Sequence, residues 1–278
     1  MHWQTTRFTI DLTWPQVMGI VNLTADSFSD GGHCLDARAA LRHAEQMLRD
    51  GAQLLDLGAE SSRPGAAPVP AELEWARLRP VLQEALRWGV PLSVDTCKPQ
   101  VMAQALELGV DVINDIQALQ ASGAAECLAA HPGAGVCLMH MRGEPRTMQG
   151  LTRYDDVLGA VREFLARRVS SLQALGLERE RIVLDPGFGF AKTAEQNLTL
   201  ARHLPALSAL GLPLLVGWSR KSSLGWLCGR TVDQRLPASL AAGLAAVQAG
   251  ARILRVHDVA AMVDALRTWR ALQPVQGQ

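Results

Sequence analysis

Residues 182–190 read Ile-Val-Leu-Asp-Pro-Gly-Phe-Gly-Phe, a short apolar run that ends at a carboxylate and a glycine-rich turn. A run this short and this apolar is typical of a strand buried on both faces of a parallel sheet. The same order of apolar run, polar stop and amphipathic helical stretch recurs along the chain. The eight apolar runs are residues 17–23, 54–57, 92–94, 110–113, 135–139, 182–184, 212–217 and 253–256.

The spacing of these runs predicts the architecture. From Asn22 to His257 there are 257 − 22 = 235 residues over seven repeats, a mean of about 34, which is the length of a βα unit. Eight such units without a linker predict a single (β/α)8 TIM barrel, one domain over residues 1–278. An open doubly wound sheet is the alternative, although such sheets usually have fewer strands. The helical candidates are residues 36–50, 72–88, 99–108, 154–175 and 260–270.

Composition narrows the classes of function. The 278 residues include 27 Lys+Arg and 27 Asp+Glu, and this zero balance argues against a nucleic-acid partner. The longest charge-free apolar stretches have about a dozen residues, too short for a membrane span. Five scattered cysteines without a Cys-x-x-Cys pair, and no visible secretory signal, predict reduced thiols and a cytoplasmic location. An anionic ligand must therefore be held by a local cluster of charges.

The residues that follow barrel strands usually form the active site. A single Asp, Asn or Ser at such a stop commonly caps the next helix, but here the strand ends also carry several basic side chains. Two nucleotide motifs fail at the turn after residue 184, because Pro186, Ala191 and Lys192 stand where a P-loop or a dinucleotide fingerprint requires glycine. Nucleotide hydrolysis and nicotinamide redox chemistry are therefore disfavoured.

The strand stops carry motifs that resemble the dihydropteroate synthase family, in order from about residue 16 to residue 258. Three departures are visible: Ala25 where the family usually has Pro, Ser62 where Thr is common, and Ala191 where Gly is usual. None of them removes a functional group. The matching motifs are MGIVNLT (18–24), DSFSDGG (26–32), GAESSRPG (58–65), VDT (94–96), NDI (114–116), DPGFGF (185–190), SRKS (219–222) and RVHD (255–258).

The resemblance implies a transferase that joins (7,8-dihydropterin-6-yl)methyl diphosphate to p-aminobenzoate and yields 7,8-dihydropteroate and diphosphate. It also implies inhibition by sulfonamides, a homodimer formed through helices late in the barrel, and Mg2+ as cofactor with Asn22 as its protein ligand. Magnesium takes few protein ligands when a substrate phosphate is available, and the sequence shows no cluster of three or four metal ligands.

The resemblance assigns the motif residues to three subsites. For the pterin they are Asp95, Asn114, Ile116, Met139, Asp185, Phe190, Gly217, Lys221 and Arg255. For the diphosphate they are Asn22, Ser62, Arg63, Arg255 and His257. For p-aminobenzoate they are Phe28, Pro64, Phe190 and Ser222. The residues expected to act in catalysis are Asp30, Arg63, Lys221, Arg255 and His257.

Side-chain chemistry agrees with these roles. A carboxylate accepts two N–H donors from the pterin edge, and Asp185 is the first candidate for that contact. The planar guanidinium of Arg255 is suited both to stacking on the ring and to the phosphates. In the expected mechanism diphosphate leaves first and the amine then attacks, so charge stabilisation matters more than a strong base. Residues 24–35 and 61–71 are long for βα connections and are predicted to act as lids.

Two alternatives stay open at this point. A methyltetrahydrofolate-type methyltransferase barrel would share the pterin edge, but it has no use for the diphosphate ligands. A non-catalytic pterin-binding homologue predicts damaged loops, whereas Asn22, Phe28, Asp30, Ser62 and Arg63 are all present. Release of diphosphate in the presence of both substrates separates the three hypotheses.

Overall fold

Eight parallel strands close into a barrel in which each strand pairs with its neighbours in sequence and the last pairs with the first. The computed structural model describes residues 1–23 and 33–273. The predicted (β/α)8 fold is confirmed, and every predicted run overlaps one barrel strand. These strands are β3 (Gln16–Asn22), β4 (Leu54–Gly58), β5 (Leu92–Asp95), β6 (Val112–Asp115), β7 (Gly135–Met139), β8 (Ile182–Asp185), β9 (Leu214–Val216) and β10 (Ala251–Val256).

Helices surround the barrel and bury their apolar stripes against it. In the helix Val157–Ala174, for example, the buried residues recur every three or four positions, which is the spacing of one helical face. The five predicted helices all correspond to helices of the structure. The described helices are α1 (His33–Arg49), α2 (Ala71–Ala85), α3 (Pro99–Leu108), α4 (Ala124–Ala129), α5 (Val157–Ala174), α6 (Ala194–Arg202), α7 (Leu204–Ser208), α8 (Ser222–Cys228), α9 (Leu236–Gln248) and α10 (Val259–Ala271). Within the described ranges, none has the length and apolarity that crossing a membrane requires.

A hairpin that the sequence reasoning missed closes the amino-terminal end of the barrel. Its antiparallel strands are β1 (His2–Gln4) and β2 (Thr9–Asp11). Trp3 is fully buried, and its indole Nε1 donates to the carbonyl of Arg181 at 2.9 Å. Trp3, Ile10 and Leu12 pack with inward-facing residues of seven barrel strands. The barrel is therefore filled at this end, and the carboxyl ends of the strands are left to carry the site.

The two connections predicted to be long are long. Residues 59–70 link β4 to α2, and residues 23–32 link β3 to α1, whereas about two to six residues are usual. Most of residues 23–32 lie outside the described part of the chain. Residues 59–70 run over the carboxyl ends of the strands, where Glu60 to Pro64 contribute to the cavity described next.

Candidate active site

A cavity of about 510 Å3 opens at the carboxyl ends of the barrel strands. Its described walls come from the segments after β4, β7, β8, β9 and β10, from residues within β3, β5 and β10, and from the segment after α8. Most of the predicted site residues therefore meet in one place, although the outermost two are 235 positions apart in the chain. The predicted residues that line this cavity are Asn22, Ser62, Arg63, Pro64, Asp95, Phe190, Gly217, Lys221, Ser222, Arg255 and His257.

The other predicted residues that the structure describes fall into two groups. Ile116 lines an adjoining cavity of about 260 Å3 that shares Ser62 and Asp95 with the larger one. Asn114, Met139 and Asp185 are buried at the ends of β6, β7 and β8. A Cβ atom built on Gly217, which lines the cavity, would lie 3.8 Å from Oδ2 of Asp185, so this carboxylate lies just behind the wall.

Two predicted residues are not described. Phe28 and Asp30 belong to residues 24–32, which lie outside the described part of the chain. The roles given to them, in the p-aminobenzoate pocket and in stabilising the reacting carbon, stay predictions.

Arg255 is held by two carboxylates across the barrel. Its Nε donates to Oδ2 of Asp56 at 2.5 Å, and its Nη2 donates to Oδ2 of Asp95 at 2.7 Å. Asp56 is fully buried and also accepts a hydrogen bond from the amide of Asn114 at 3.0 Å. Charge-assisted bonds of this kind fix the plane of the guanidinium. The sequence reasoning did not assign Asp56 to the site; its signal was a charged residue inside the apolar run 54–57.

Burial changes the acidity of the groups around the cavity. Burial raises the pKa of Asp95 to about 7, although the neighbouring Arg255 opposes this change. Burial also raises the pKa of Asp185, against the opposing hydrogen bond from the Gly187 N–H. Burial and the nearby charge of Arg255 lower the pKa of Lys221 to about 8. Three of the predicted pterin ligands therefore have an acidity shifted toward the neutral range, as is common at functional sites.

The pKa of Arg255 moves the other way. Burial lowers it, but the attraction of Asp56 and Asp95 outweighs burial, and the net pKa lies above the usual arginine value. Arg255 therefore stays charged at every pH at which the fold persists.

Lys221 lies over the aromatic ring of Phe190. Its Nζ is 4.1 Å from the ring centroid, a cation–π distance. Gly189 makes this approach possible, because a Cβ atom there would lie 3.2 Å from Cδ of Lys221 and the backbone has a φ of +82°. The turn after β8 and the turn after β9 are thus joined at the cavity wall through two residues that were both predicted to bind pterin.

His257 is neutral at the side of the cavity predicted to hold diphosphate. Burial, and then the charges of Arg220 and Arg255, lower its pKa to about 3. Its Nδ1 is 3.2 Å from the hydroxyl oxygen of Ser219. A neutral imidazole presents one N–H donor and one acceptor, so His257 offers a directional hydrogen bond to a ligand without adding charge.

Two arginines that the sequence reasoning did not assign also line the cavity. Arg220 forms an ion pair with Asp258, and Arg235 donates from Nη1 to the carbonyl of Arg220 at 3.0 Å. Arg220 lies within the SRKS motif and Arg235 follows it in the chain. Apart from this position near Lys221, nothing in the sequence indicated that they belong to the site.

The connection between β4 and α2 is held to neighbouring segments at Glu60, near its start, and at Gly65, near its middle. Lys98 is paired with Glu60, in this connection, and with the buried Glu74 of α2. Gly65 donates from its backbone N–H to the carbonyl of Pro145 at 3.1 Å. These contacts set where Ser62 and Arg63 lie along the cavity wall. The prediction that residues 61–71 act as a lid stays a prediction.

The cavity has oxygen ligands for a magnesium ion but no metal cage. Within residues 1–23 and 33–273, no group of three or more His, Cys, Asp and Glu side chains is placed to hold a metal ion. Asn22, at the carboxyl end of β3, lines the same cavity as Ser62 and Arg63. One amide oxygen beside several phosphate donors fits an ion that is brought mainly by a substrate phosphate.

Known proteins are similar to this chain over nearly its whole length. A family model described as "Pterin binding enzyme" matches residues 18–257. A dihydropteroate synthase of Neisseria meningitidis serogroup C is 53% identical over 274 residues, 97% of each chain. The dihydropteroate synthase of Escherichia coli K12 is 45% identical over 263 residues, which cover 94% of this chain and 93% of that protein.

Solved structures give the same result. A Xanthomonas albilineans dihydropteroate synthase with 4-aminobenzoic acid has a TM-score of 0.92 at 46% identity, covering 99% of this chain and 100% of that one. The same bacterium's enzyme with 7,8-dihydropteroate has a TM-score of 0.87 at 45% identity, covering 96% and 97%. A Yersinia pestis dihydropteroate synthase with a sulfonamide drug has a TM-score of 0.91 at 44% identity, covering 98% of each chain. The chain therefore belongs to the family of pterin-binding enzymes and, within it, to the dihydropteroate synthases.

Proposed function

We propose that this chain joins (7,8-dihydropterin-6-yl)methyl diphosphate to p-aminobenzoate, giving 7,8-dihydropteroate and diphosphate in folate biosynthesis. The observation that carries the proposal is one cavity that combines buried carboxylates, a lysine over an aromatic ring, and a second set of phosphate donors. The first two features suit a flat heterocycle with N–H donors and ring acceptors, and the third suits a leaving diphosphate.

The pterin is bound by the buried end of the cavity. Asp185 accepts the N–H donors of the amidine-like edge, while Asp95 and Asn114 bind other edges of the ring. Lys221 donates to a ring acceptor and partly balances the charge of Asp185, whose pKa it helps to lower. Ile116, Met139, Phe190 and Gly217 are the apolar surfaces of this subsite.

The diphosphate is bound on the other side of the reacting carbon. Arg63 and Arg255 supply charge, while Ser62 and the neutral His257 supply directed donors. Asn22 is the residue that would hold a magnesium ion, and the bound ion would neutralise part of the charge on the phosphates.

The reaction needs charge stabilisation more than proton abstraction. The bond between the methylene carbon and the diphosphate oxygen breaks, and the electron pair leaves with diphosphate, stabilised by Arg63 and Arg255. The amine nitrogen of p-aminobenzoate then forms the new bond to that carbon and loses one proton. Pro64, Phe190 and Ser222 line the cavity and in this proposal form the p-aminobenzoate subsite.

Steady-state release of diphosphate with both substrates present tests the activity. The unmodified chain should release diphosphate in equal amount to dihydropteroate formed, and Lys221→Ala and Asp185→Ala should abolish turnover. A chain that binds 7,8-dihydropteroate but never releases diphosphate would be a binding homologue. A single turnover without p-aminobenzoate tests the order of the steps: if no diphosphate appears, the amine must attack before the leaving group departs.

Assembly and location are part of the proposal as well. Trp226 and Leu227 of α8, and Val232 after it, are each more than half exposed, and such apolar groups favour a homodimer through this late part of the barrel. Light scattering should give twice the chain mass, and Leu227→Glu should reduce it. The described cysteines Cys97, Cys127, Cys137 and Cys228 are unpaired, which supports a cytoplasmic location.

A further inference from the structure

Beside the proposed pterin subsite lies a buried cation, Lys192, to which the proposed reaction gives no role. Lys192 ends the turn between β8 and α6, and only 3% of its surface is exposed. Its Nζ lies 2.9 Å from the carbonyl oxygens of Gly187 and Phe190, 3.2 Å from that of His140, and 3.0 Å from Nδ1 of His140. An ammonium group has three N–H donors, so four acceptors are more than enough to use all of them.

The turn that Lys192 holds carries part of the pterin subsite. Gly187 donates from its backbone N–H to Oδ1 of Asp185 at 2.7 Å, while its carbonyl accepts from Lys192. The carbonyl of Phe190 accepts from the same ammonium, and its ring faces Lys221. One side chain thus binds the carbonyl of Gly187, the residue whose N–H donates to Asp185, and the carbonyl of Phe190.

Two further features constrain the backbone of this turn in addition to the hydrogen bonds from Lys192. Gly187 has a φ of +71°, and a Cβ atom there would collide with the carbonyl oxygen of His140. Asn197 of α6 accepts from the N–H of Gly189 at 2.8 Å and donates to the carbonyl of Thr193 at 2.6 Å. Lys192 therefore acts on the β7 side of the turn and Asn197 on the α6 side.

A contribution to the stability of the fold does not by itself explain why a lysine, and not an apolar residue, is buried at position 192. Removing an ammonium from water is costly, and burial lowers the pKa of Lys192 to about 7, with Asp185 opposing the change. An apolar side chain of similar length would fill the same volume without that cost. What an apolar side chain cannot do is bind three carbonyl groups from two separate strand ends.

We propose that Lys192 is a positioning residue for pterin recognition: by binding the carbonyls of His140, Gly187 and Phe190 it orients Asp185 and Phe190 toward the ring. The inference rests on the proposed function, because it assigns Lys192 to the pterin side of that same site. The hydrogen bonds of the Lys192 ammonium go to His140, Gly187 and Phe190. None goes to Arg63, Arg255 or His257, which belong to the proposed diphosphate subsite and lie on other elements.

The test measures binding of 7,8-dihydropteroate and of inorganic diphosphate separately, by calorimetry in a buffer with Mg2+. For Lys192→Met the dissociation constant for dihydropteroate should rise at least about tenfold, which corresponds to about 1.4 kcal/mol. The constant for inorganic diphosphate should change less than about twofold, an effect below about 0.4 kcal/mol. Equal losses for both molecules, or no loss for dihydropteroate, would overturn the proposal.

Arg181→Met is the matched control. Arg181 is also a buried cation, and it donates to the carbonyls of Ala134, Leu128 and His131, but at the opposite end of β8. It should lower the melting temperature and leave both dissociation constants unchanged when they are measured well below that temperature. If it reproduced the selective loss, the effect of Lys192→Met would be a consequence of lower stability.

Two further variants cover the case in which Lys192→Met does not fold. Lys192→Gln keeps a donor and should lose less affinity for dihydropteroate than the methionine variant. Asn197→Ala removes the α6 side of the support and should show the same selectivity with a smaller loss. Failure of the proposed function would look different, because the unmodified chain would then release no diphosphate with both substrates present, whatever its affinity for dihydropteroate.

Discussion

Arg255 and Asp56 form a buried ion pair across the barrel, with 2.5 Å between Nε and Oδ2. Asp56 is fully buried and Arg255 lines the cavity, so the pair joins the interior of the barrel to the surface that faces the ligand. Because Asp95 binds the other edge of the guanidinium, Arg255 has its orientation before any phosphate arrives. The cost of ordering this side chain is therefore met during folding and not during binding.

Replacing Asp56 by Asn should weaken catalysis as well as stability. The amide keeps the volume but removes the charge that orients Arg255, so kcat/KM should fall about ten- to hundredfold, in line with about 1–3 kcal/mol for such a contact. Steady-state kinetics and urea unfolding measure the two effects. Asp111→Asn is the control: Asp111 is a fully buried carboxylate paired with Arg7 at 2.6 Å, away from the cavity. It should lower stability alone; a similar kinetic loss there would refute a specific role for Asp56.

The pH dependence of kcat/KM should reflect Asp95 and Lys221. An ionised Asp95 accepts hydrogen bonds through both oxygens, whereas protonation turns one of them into a donor and removes the charge, so activity should rise as pH increases through about 7. Lys221 donates with its charge only when protonated, so activity should fall as pH increases through about 8. Lys221→Arg should remove the alkaline limb, whatever its absolute rate, because a guanidinium does not lose its proton there. Persistence of that limb in the arginine variant would assign it to another group.

His257→Ala should act on the diphosphate side of the site. Affinity for inorganic diphosphate should fall about tenfold, the value of one hydrogen bond to a charged group, whereas affinity for 7,8-dihydropteroate should stay the same. Because burial lowers the pKa of His257 to about 3, the size of the loss should not change between pH 6 and pH 8. A loss that grows at the lower pH would mean that the imidazolium form binds phosphate, and an equal loss for both molecules would contradict the division of the site.

Ala191 stands in the turn after β8 with a φ of +50°, a left-handed conformation that suits glycine. Changing it to Gly should stabilise the fold by about 1–2 kcal/mol, because the strain is relieved. Two effects oppose this gain: loss of the buried methyl group destabilises the fold by about 0.8 kcal/mol, and the greater entropy of the unfolded chain destabilises it by about 0.4–1 kcal/mol. The free energy of unfolding should therefore change by less than about 1 kcal/mol.

Ala105 is the control for that change, because it is equally buried but lies in the ordinary helix α3. Ala105→Gly has no strain to relieve and should lower the free energy of unfolding by about 1.5 kcal/mol. Equal losses at the two positions in urea denaturation would show that Ala191 is not strained.

Most of the barrel could be predicted from sequence because its strands are buried on both faces. Each strand is then an unbroken apolar run, and each run stops where the chain meets the cavity. The hairpin of β1 and β2 gave a weaker signal, since each strand has three residues. The alternation of Thr9, Ile10 and Asp11 was its only mark.

The site was predicted where a motif places the functional group directly in the cavity, as for Lys221 and Arg255. Residues that act through other residues were missed. Lys192 looked like part of a failed phosphate motif, and its role emerges only when the turn brings it against His140, which is 52 positions away. The pairing of Lys98 with Glu60 and Glu74 likewise joins three elements that have no fixed spacing in the chain.

The hairpin that fills the amino-terminal end of the barrel also determines from which end a ligand can enter. Because Trp3, Ile10 and Leu12 seal that end, the described cavity opens only at the carboxyl ends of the strands among the residues that the structure describes. In the proposed reaction we therefore expect both substrates to enter, and the product to leave, by the same end of the barrel.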